Sequence, residues 1–365
     1  MTFLRRYGMY LLLVFVPIAL ALEFMMPENH TAIFGASVLA ILPLAAMIGR
    51  STEVLAERLG GGIGGLLNAT FGNAAELIIG ALALREGLFD LVKASLTGSI
   101  IGNVLLVFGA SAFVGGLKHP TQHFNRTAAG MGTTMLLLSV IGLVVPAVFH
   151  RLAHANAGAG EGANELKLDT EIAFVLFATY CASLIFTLRT HRDLYGHTAQ
   201  AAHAAHDTHT KSEVKRSVIM LFAATAAVAV VSELLVTSVS ATARDLGMTN
   251  LFVGVVIVAL VGNAAEHFSA VVLAADNKMD AAISIAVGSS TQIALFVAPA
   301  LVFLSYLIAP QPMDLLFSTF ELVAIALSVL SIGFIAHDGE TNWMEGVQLL
   351  AVYMILSLGF FFLPG

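Results

Sequence analysis

Charged residues are scarce in this 365-residue sequence: they form 11% of it, where a soluble domain has about 25%. The chain has a single cysteine and contains neither an HExxH spacing nor a GxxxxGK[ST] loop. One cysteine excludes an intrachain disulfide, and we expect Cys181 to be a buried, small apolar side chain. The missing motifs argue against a thiolate or HExxH metal site and against ATP-driven pumping by this chain.

The chain is instead rich in long apolar runs. Hydrophobic residues form 58% of the chain, and runs of about 20 of them, enough to cross a hydrocarbon core, recur throughout. These runs lack the period-two alternation of a membrane β-barrel. We therefore predict an all-α polytopic membrane protein with eleven transmembrane helices, at residues 8–26, 31–49, 62–85, 90–117, 127–149, 168–188, 217–243, 250–275, 279–308, 315–335 and 344–362.

The placement of lysine and arginine predicts the orientation of these spans, because cytoplasmic loops carry an excess of both. With the N-terminus in the cytoplasm, twelve of the 17 lysines and arginines lie inside. An odd number of spans then places the C-terminus outside. The lack of a long N-terminal tail favours a bacterial plasma membrane, with a vacuolar membrane as the alternative.

The pentapeptide GNAAE occurs twice, at residues 72–76 and 262–266, an offset of 190. The same register also aligns Ser99 with Ser289 without a gap. The first copy lies on the third and fourth predicted spans and the second on the eighth and ninth, so the copies cross the membrane in opposite senses. This is an inverted repeat, an arrangement that places substrate near the bilayer midplane in transporters.

The repeat divides the sequence into four parts. Residues 1–30 form an extra N-terminal transmembrane helix, residues 31–188 the first five-helix repeat and residues 217–365 the second. Residues 189–216 between them form a cytoplasmic linker rich in histidine, which we interpret as a flexible connection.

Glu76 and Glu266, one in each repeat, lie within apolar runs, where a charge costs roughly 2.5 to 3.5 kcal/mol. Such residues usually face a cavity, a partner or an ion path. Two opposed carboxylates suit a divalent cation, and calcium takes about six to eight oxygen ligands. The other candidate ligands are amides, hydroxyls and glycines on the same or the following spans: Asn73, Asn263, Gly72, Gly262, Ser99, Ser289, Asn103 and Gln292.

Protons compete for the same two carboxylates, because a low dielectric and a second negative charge favour the neutral form of each glutamate. A calcium-loaded site and a doubly protonated site are both electrically neutral, whereas an empty site carries two bare charges. This difference provides a physical basis for antiport, since either cargo permits the switch between the two sides of the membrane.

Three further residues are candidates for a gate or a proton path. Glu53 and Glu233 lie on the second and seventh predicted spans, although Glu53 also fits a solvated position near the membrane edge. His267 follows Glu266 and points about 100° away around the helix, so packing competes with proton relay as its role. Glu321 is also intramembrane, and its role is left open.

Longer segments accompany the two GNAAE copies: GSIIGNVLLVFG at 98–109, GSSTQIALFV at 288–297 and DGETNWMEGVQLLAVYMILSLGFFF at 338–362. With these segments the sequence, from about residue 40, resembles the CAX family of calcium/proton exchangers in the cation/calcium exchanger superfamily. The resemblance implies an eleven-span fold, calcium export driven by proton entry, and ion-binding glutamates at Glu76 and Glu266. Such proteins often have an acidic segment between the halves, where this chain has histidines.

The sequence therefore predicts a secondary transporter that exports cytosolic calcium in exchange for protons by alternating access. Calcium, protons and the lipid bilayer are its expected partners, a homo-oligomer is compatible with the sequence, and neither a cofactor nor nucleic acid is expected. Exchange of manganese or sodium through the same site stays open. A membrane-embedded enzyme with a glutamate acid and base pair, and a cation channel, are disfavoured because neither needs a matched inverted repeat.

Overall fold

Helices form nearly all of the regular structure in the computed structural model, which describes residues 10–155, 162–191 and 211–363. Most of the predicted linker at 189–216 lies outside the described residues. The helices of the first part are α1 Phe15–Met25, α2 His30–Phe71, α3 Ala74–Arg85, α4 Phe89–Ile101, α5 Phe108–Lys118, α6 Arg126–Ala155 and α7 Gly162–Ile185. Those of the second part are α8 Lys211–Asp245, α9 Asn250–Phe252, α10 Ala259–Gly262, α11 Ala264–Ala275, α12 Met279–Gln292, α13 Ala298–Ile308, α14 Thr319–Ile335 and α15 Trp343–Phe362.

Short π-helical segments join or extend several of these helices. They are Gly102–Val107 between α4 and α5, Phe186–Thr190 after α7, Val253–Val258 between α9 and α10, and Ile293–Val297 between α12 and α13. Turns of this kind are rare and often occur at functional sites. Two of these segments contain or directly follow a candidate ligand, Asn103 in the first case and Gln292 in the second.

Seven helices in the described residues are long and apolar enough to cross a membrane, or eight if the bent pair Asn250–Gly262 and Ala264–Ala275 is one span. Shorter apolar helical stretches, Leu12–Met25 and Thr319–Ile335, occupy two further predicted positions. The prediction of a helical membrane protein is confirmed at this coarser level. The structure adds a two-stranded antiparallel sheet, β1 Gln122–His123 paired with β2 Glu340–Thr341.

The prediction of a loop at residues 50–61, between the second and third spans, is wrong. The 42 residues of α2 are helical without a break. The chain nevertheless bends sharply within it. A Cβ atom on Gly64 would lie 2.2 Å from the carbonyl oxygen of Ala56, whereas a straight helix separates residues eight apart by about 12 Å. The reversal between the second and third predicted spans thus takes place around a glycine-rich stretch whose backbone remains helical.

The sequence repeat is also a repeat of local structure. Helix α11 begins and ends 190 residues after α3, and α13 begins and ends 190 residues after α5. Helices α4 and α12 begin at the same offset, and each continues into a π-helical segment. The equivalent residues therefore adopt equivalent backbone structure over about 45 positions, from Ala74 to Lys118 and from Ala264 to Ile308.

Burial separates central from peripheral helices. In the most apolar window of Phe89–Lys118, 72% of the residues are buried, compared with 17% for Glu165–Thr190. The first of these segments therefore runs through the protein interior, and the second lies at its edge. Cys181, on this outer helix, is exposed, so the prediction that it is buried is wrong. An apolar side chain on a membrane helix is stable against lipid as well as in a protein core.

Candidate cation-binding site

Both GNAAE motifs interrupt a helix at their asparagine. Asn73, with φ −100° and ψ 19°, separates α2 from α3, and Asn263, with φ −96° and ψ 6°, separates α10 from α11. The chain bends by 64° at the second interruption. Glu76 and Glu266 consequently lie in the first turn of a new helix, where the helix dipole favours a negative side chain.

The two glutamates converge through a reciprocal contact. A Cβ atom on Gly262 would lie 2.8 Å from Oε1 of Glu76, and one on Gly72 would lie 3.8 Å from Oε1 of Glu266. Each carboxylate thus faces the glycine of the other motif, the pattern of contacts expected around a two-fold axis. The negative charges of the two carboxylates are close enough to interact.

Each glutamate also has one buried oxygen without a hydrogen-bond partner, Oε2 in both cases. Glu76 as a whole is 7% exposed, and Glu266 is partly exposed. Burying a carboxylate oxygen without a partner is costly, so such a group calls for a cation or a proton. Glu76 and Glu266 therefore form a candidate site for a cation or for protons.

Amide and hydroxyl groups connect the two halves around the glutamates. Asn73 Nδ2 donates to Gln292 Oε1 at 2.6 Å, and Asn263 Nδ2 donates to Ser99 Oγ at 2.9 Å. Asn103 Nδ2 donates to Ser289 Oγ at 3.1 Å. The predicted ligand residues of both repeats are thus brought together in one place.

A further contact lies beside the two serines. Ser290 Oγ donates to the carbonyl oxygen of Ile100 at 3.3 Å, and these residues are 190 positions apart. A contact between equivalent residues is the pattern expected next to a two-fold axis. This contact lies between α4 and α12, beside Ser99 and Ser289.

Acidic and histidine residues alone do not complete a metal site here. In the described part of the chain, no group of three or more histidines, cysteines, aspartates or glutamates could hold a metal ion. A cation between Glu76 and Glu266 would need neutral oxygens as further ligands, as calcium sites commonly do.

Comparison with protein families identifies the chain. The family described as Sodium/calcium exchanger protein matches residues 29–189 and 216–362. The chain belongs to this family. This exchanger is 44% identical over 363 residues to the Ca(2+)/H(+) antiporter of Aphanothece halophytica, covering 97% of this chain and 96% of that protein. It is 47% identical over 332 residues to the Ca(2+)/H(+) antiporter ChaA of Bacillus subtilis, covering 91% and 92%.

Solved structures agree with this assignment. The exchanger superposes on native YfkE with a TM-score of 0.82 and 43% identity, covering 97% of this chain and all of that one. It also shares its fold with the H+/Ca2+ exchanger CAX, with a TM-score of 0.71, 14% identity and coverage of 99% and 89%. The predicted family resemblance is confirmed, and the protein belongs among transporters rather than enzymes.

The exchanger packs its two halves unequally next to the glutamates. A Cβ atom on Gly98 would lie 1.9 Å from the carbonyl oxygen of Val255, so the segment that precedes the second GNAAE copy is pressed against α4. Gly254 in that segment approaches Ala94 in the same way. A Cβ atom on Gly288, the counterpart of Gly98, would meet no described atom within 4 Å. Among the described residues, α12 thus has no close neighbour at the position where α4 is covered.

His267 is joined to the site through an amide. Its Nε2 atom lies 2.9 Å from Oδ1 of Asn103, whose Nδ2 atom already donates to Ser289. The side chain of Ser289 in turn hydrogen bonds to Glu266. His267 therefore connects indirectly to the carboxylate that precedes it in sequence, in an arrangement that the first repeat lacks because Leu77 and Ile293 occupy the equivalent positions.

The two candidate gate residues are both exposed and lie on different helices, Glu53 on α2 and Glu233 on α8. Glu233 Oε1 pairs with Arg85 Nη2 at 2.8 Å, which ties α8 to the last residue of α3. Arg85 was not among the predicted site residues. Its position at the end of a helix that begins with GNAAE is the signal that could have found it.

The role left open for Glu321 is structural. Ser318 and Glu321 form a capping box at the start of α14, with Ser318 N donating to Glu321 Oε2 at 2.8 Å. Thr97 on α4 donates to the other carboxylate oxygen at 3.1 Å. The sequence carries the signal for this cap, since Ser318 precedes Glu321 by three residues before an apolar run.

Proposed function

We propose that the protein is a calcium/proton antiporter that exports cytosolic calcium by alternating access, with Glu76 and Glu266 binding calcium or protons in turn. The observation that carries this proposal is the reciprocal approach of each glutamate to the glycine of the other motif, each glutamate having a buried oxygen without a hydrogen-bond partner. The relatives named as Ca(2+)/H(+) antiporters support the choice of cargo, at 44% and 47% identity.

The charge of the pair explains why the two cargoes exclude each other. One calcium ion or two protons cancel the charge of two carboxylates, and an empty site leaves that charge uncompensated in a buried place. Loaded forms can therefore change conformation, whereas the empty form resists the change. The export of calcium from the cytosol and the entry of protons into it then become obligatorily coupled.

Neutral oxygens would complete the calcium shell. We assign this role, or that of holding the ligands in place, to the amide and hydroxyl side chains around the glutamates and to the backbone at the two helix interruptions. These residues are Asn73, Asn263, Ser99, Ser289, Asn103, Gln292, Gly72 and Gly262. Glu53, Glu233 and His267 are proposed to act outside this shell, as a gate or on the proton path.

We further propose eleven spans in two inverted repeats, with an extra N-terminal helix at 1–30, repeats at 31–188 and 217–365, and a cytoplasmic linker at 189–216. The matching helix boundaries at an offset of 190 and the reciprocal glycine contacts support this division. The membrane would be a bacterial plasma membrane, with the N-terminus inside and the C-terminus outside. Under this orientation the covered face of α4 closes the external side of the site.

The direct test is calcium uptake into everted vesicles with an acid interior. The wild-type protein is expected to accumulate calcium and dissipate the proton gradient together. Glu76→Gln and Glu266→Gln should each abolish both signals while the protein still inserts. Glu171→Gln, at an exposed glutamate on α7, is the matched control and should transport normally. Uptake that requires sodium and ignores pH would favour sodium/calcium exchange instead.

A further inference from the structure

A recess of about 240 Å³ opens between α6 and α14, away from the two glutamates. It lies where α6 begins and where α14 has just ended, so it is at the end of both helices. The residues that line it combine a cation, an imidazole, two hydroxyls and two glycines: Arg126, His337, Thr133, Thr134, Gly130 and Gly333.

The polar groups of this recess suit a phosphate that bears further hydroxyl groups. Arg126 and His337 are both exposed, and an arginine guanidinium can donate two parallel hydrogen bonds to a phosphate. Thr133 and Thr134 donate their own hydroxyl protons to backbone carbonyls one turn earlier, at 2.8 and 2.9 Å. Their oxygens are therefore left as acceptors for hydroxyl donors on a ligand.

Exposed apolar side chains continue from the recess along both helices. They recur every three or four residues, which places them on one face of each helix. On α6 they are Leu137, Ile141 and Val145, and on α14 they are Phe334, Leu330 and Leu327. A free phosphate would make no use of such a surface, whereas acyl chains would cover it.

We propose that this recess binds an anionic phospholipid, with the phosphate on Arg126 and His337 and the acyl chains along the apolar rows of α6 and α14. Basic recesses between helices at the membrane surface are a general means of holding anionic headgroups. The bound lipid would bridge a helix of the first part of the chain, α6, and a helix of the second part, α14. This inference depends on membrane insertion alone and not on the cargo of the exchanger.

Native mass spectrometry of the purified full chain tests the proposal, with phosphatidylglycerol and phosphatidylcholine as probes. The protein is expected to retain phosphatidylglycerol through a detergent wash and to lose phosphatidylcholine. The double variant Arg126→Gln with His337→Gln should retain about tenfold less phosphatidylglycerol, since it removes charge-assisted hydrogen bonds. Arg244→Gln, at an exposed arginine on α8, is the matched control and should retain it normally.

Gly130→Leu provides a second variant that leaves the charges unchanged. A Cβ atom on Gly130 would meet no described atom within 4 Å, so a larger side chain fits there and fills the recess. It should reduce retention as the double variant does. Equal retention by all variants, equal retention of both lipids, or displacement of phosphatidylglycerol by inorganic phosphate would each overturn the proposal.

Discussion

The two GNAAE helices have the same length and the same motif, but their surroundings differ. Seven residues of α3 are buried, Glu76 among them, whereas Ala270 and Ala274 are the buried residues of α11. The segment before α11 is pressed against Gly98, and the equivalent position at Gly288 is open. Sequence identity therefore gives equivalent backbone without giving equivalent packing.

This inequality is what alternating access requires. If both repeats packed alike, the site would be open to both sides of the membrane or to neither. Because the halves share their local structure, the packing of one can in principle be adopted by the other, and the two states need differ little in free energy. The close packing is between the segment of Val255 and α4, and the space without a described neighbour is beside Gly288 on α12.

The largest expected effect is on calcium affinity as a function of pH, measured by isothermal titration calorimetry. Calcium needs both carboxylates ionised, so acidification should raise the Kd, by roughly 100-fold per pH unit where two protons compete. With one carboxylate removed in Glu266→Gln, the dependence should fall to roughly tenfold per unit. A wild-type Kd that does not change with pH would refute shared binding of calcium and protons.

Next in size is the difference between two alanine substitutions at equivalent glycines. Gly98→Ala would place a methyl group 1.9 Å from a backbone oxygen, so the packed segment must move. Overpacking of this kind typically costs about 1–3 kcal/mol, and the Tm should fall accordingly. Gly288→Ala meets open space and should leave the Tm unchanged.

Transport assays on the same two variants sharpen the comparison. In the conformation that opens the site to the other side of the membrane, the first repeat would pack against α12. Gly288→Ala should then slow calcium transport although it leaves the Tm unchanged. Gly98→Ala should lower both. Equal loss of Tm in the two variants would show that the packing difference does not persist in the membrane protein.

Much of this architecture was predictable from the sequence. Apolar runs long enough to cross a membrane and the repeated GNAAE pentapeptide can both be recognised without knowledge of the tertiary structure. The predicted spans 62–85 and 250–275, however, are interrupted at Asn73 and Asn263, so that a new helix begins just before Glu76 and Glu266. The bend near Gly64 was not predictable as a helical feature, since a glycine-rich stretch is equally typical of a loop. The position of Cys181 was missed because lipid and protein interior favour the same apolar side chains.

The candidate ligands were predictable as a set, whereas their connections were not. Reading the motifs separately gives Asn73 beside Glu76, but the hydrogen bond from Asn73 to Gln292 depends on how the two halves cross. The same holds for Glu321, where the capping box is local and readable and the bond from Thr97 is not. Contacts between distant segments require the tertiary arrangement.

A smaller effect is expected at Asn103, whose amide joins His267 to Ser289. The equivalent positions of the repeat have no such link. Asn103→Leu leaves both partners without this bond, and an unpaired buried polar group costs about 1–3 kcal/mol. Thermal unfolding should show the loss, and calcium transport should fall with it. Ser331→Ala, which removes an exposed hydroxyl on α14, is the control and should behave as wild type. An unchanged Tm for Asn103→Leu would show that the amide is dispensable.

The smallest effect is expected for the ion pair between Arg85 and Glu233, since both side chains are about half exposed and exposed pairs contribute little. Arg85→Gln and Glu233→Gln should each change the initial rate of calcium uptake by less than about fivefold, and less still at high ionic strength. The double variant should match either single variant if the pair acts as one unit. A Glu233→Gln variant that abolishes uptake while Arg85→Gln does not would narrow the proposed role of Glu233 from a gate held by Arg85 to a position on the path of the cation or the proton.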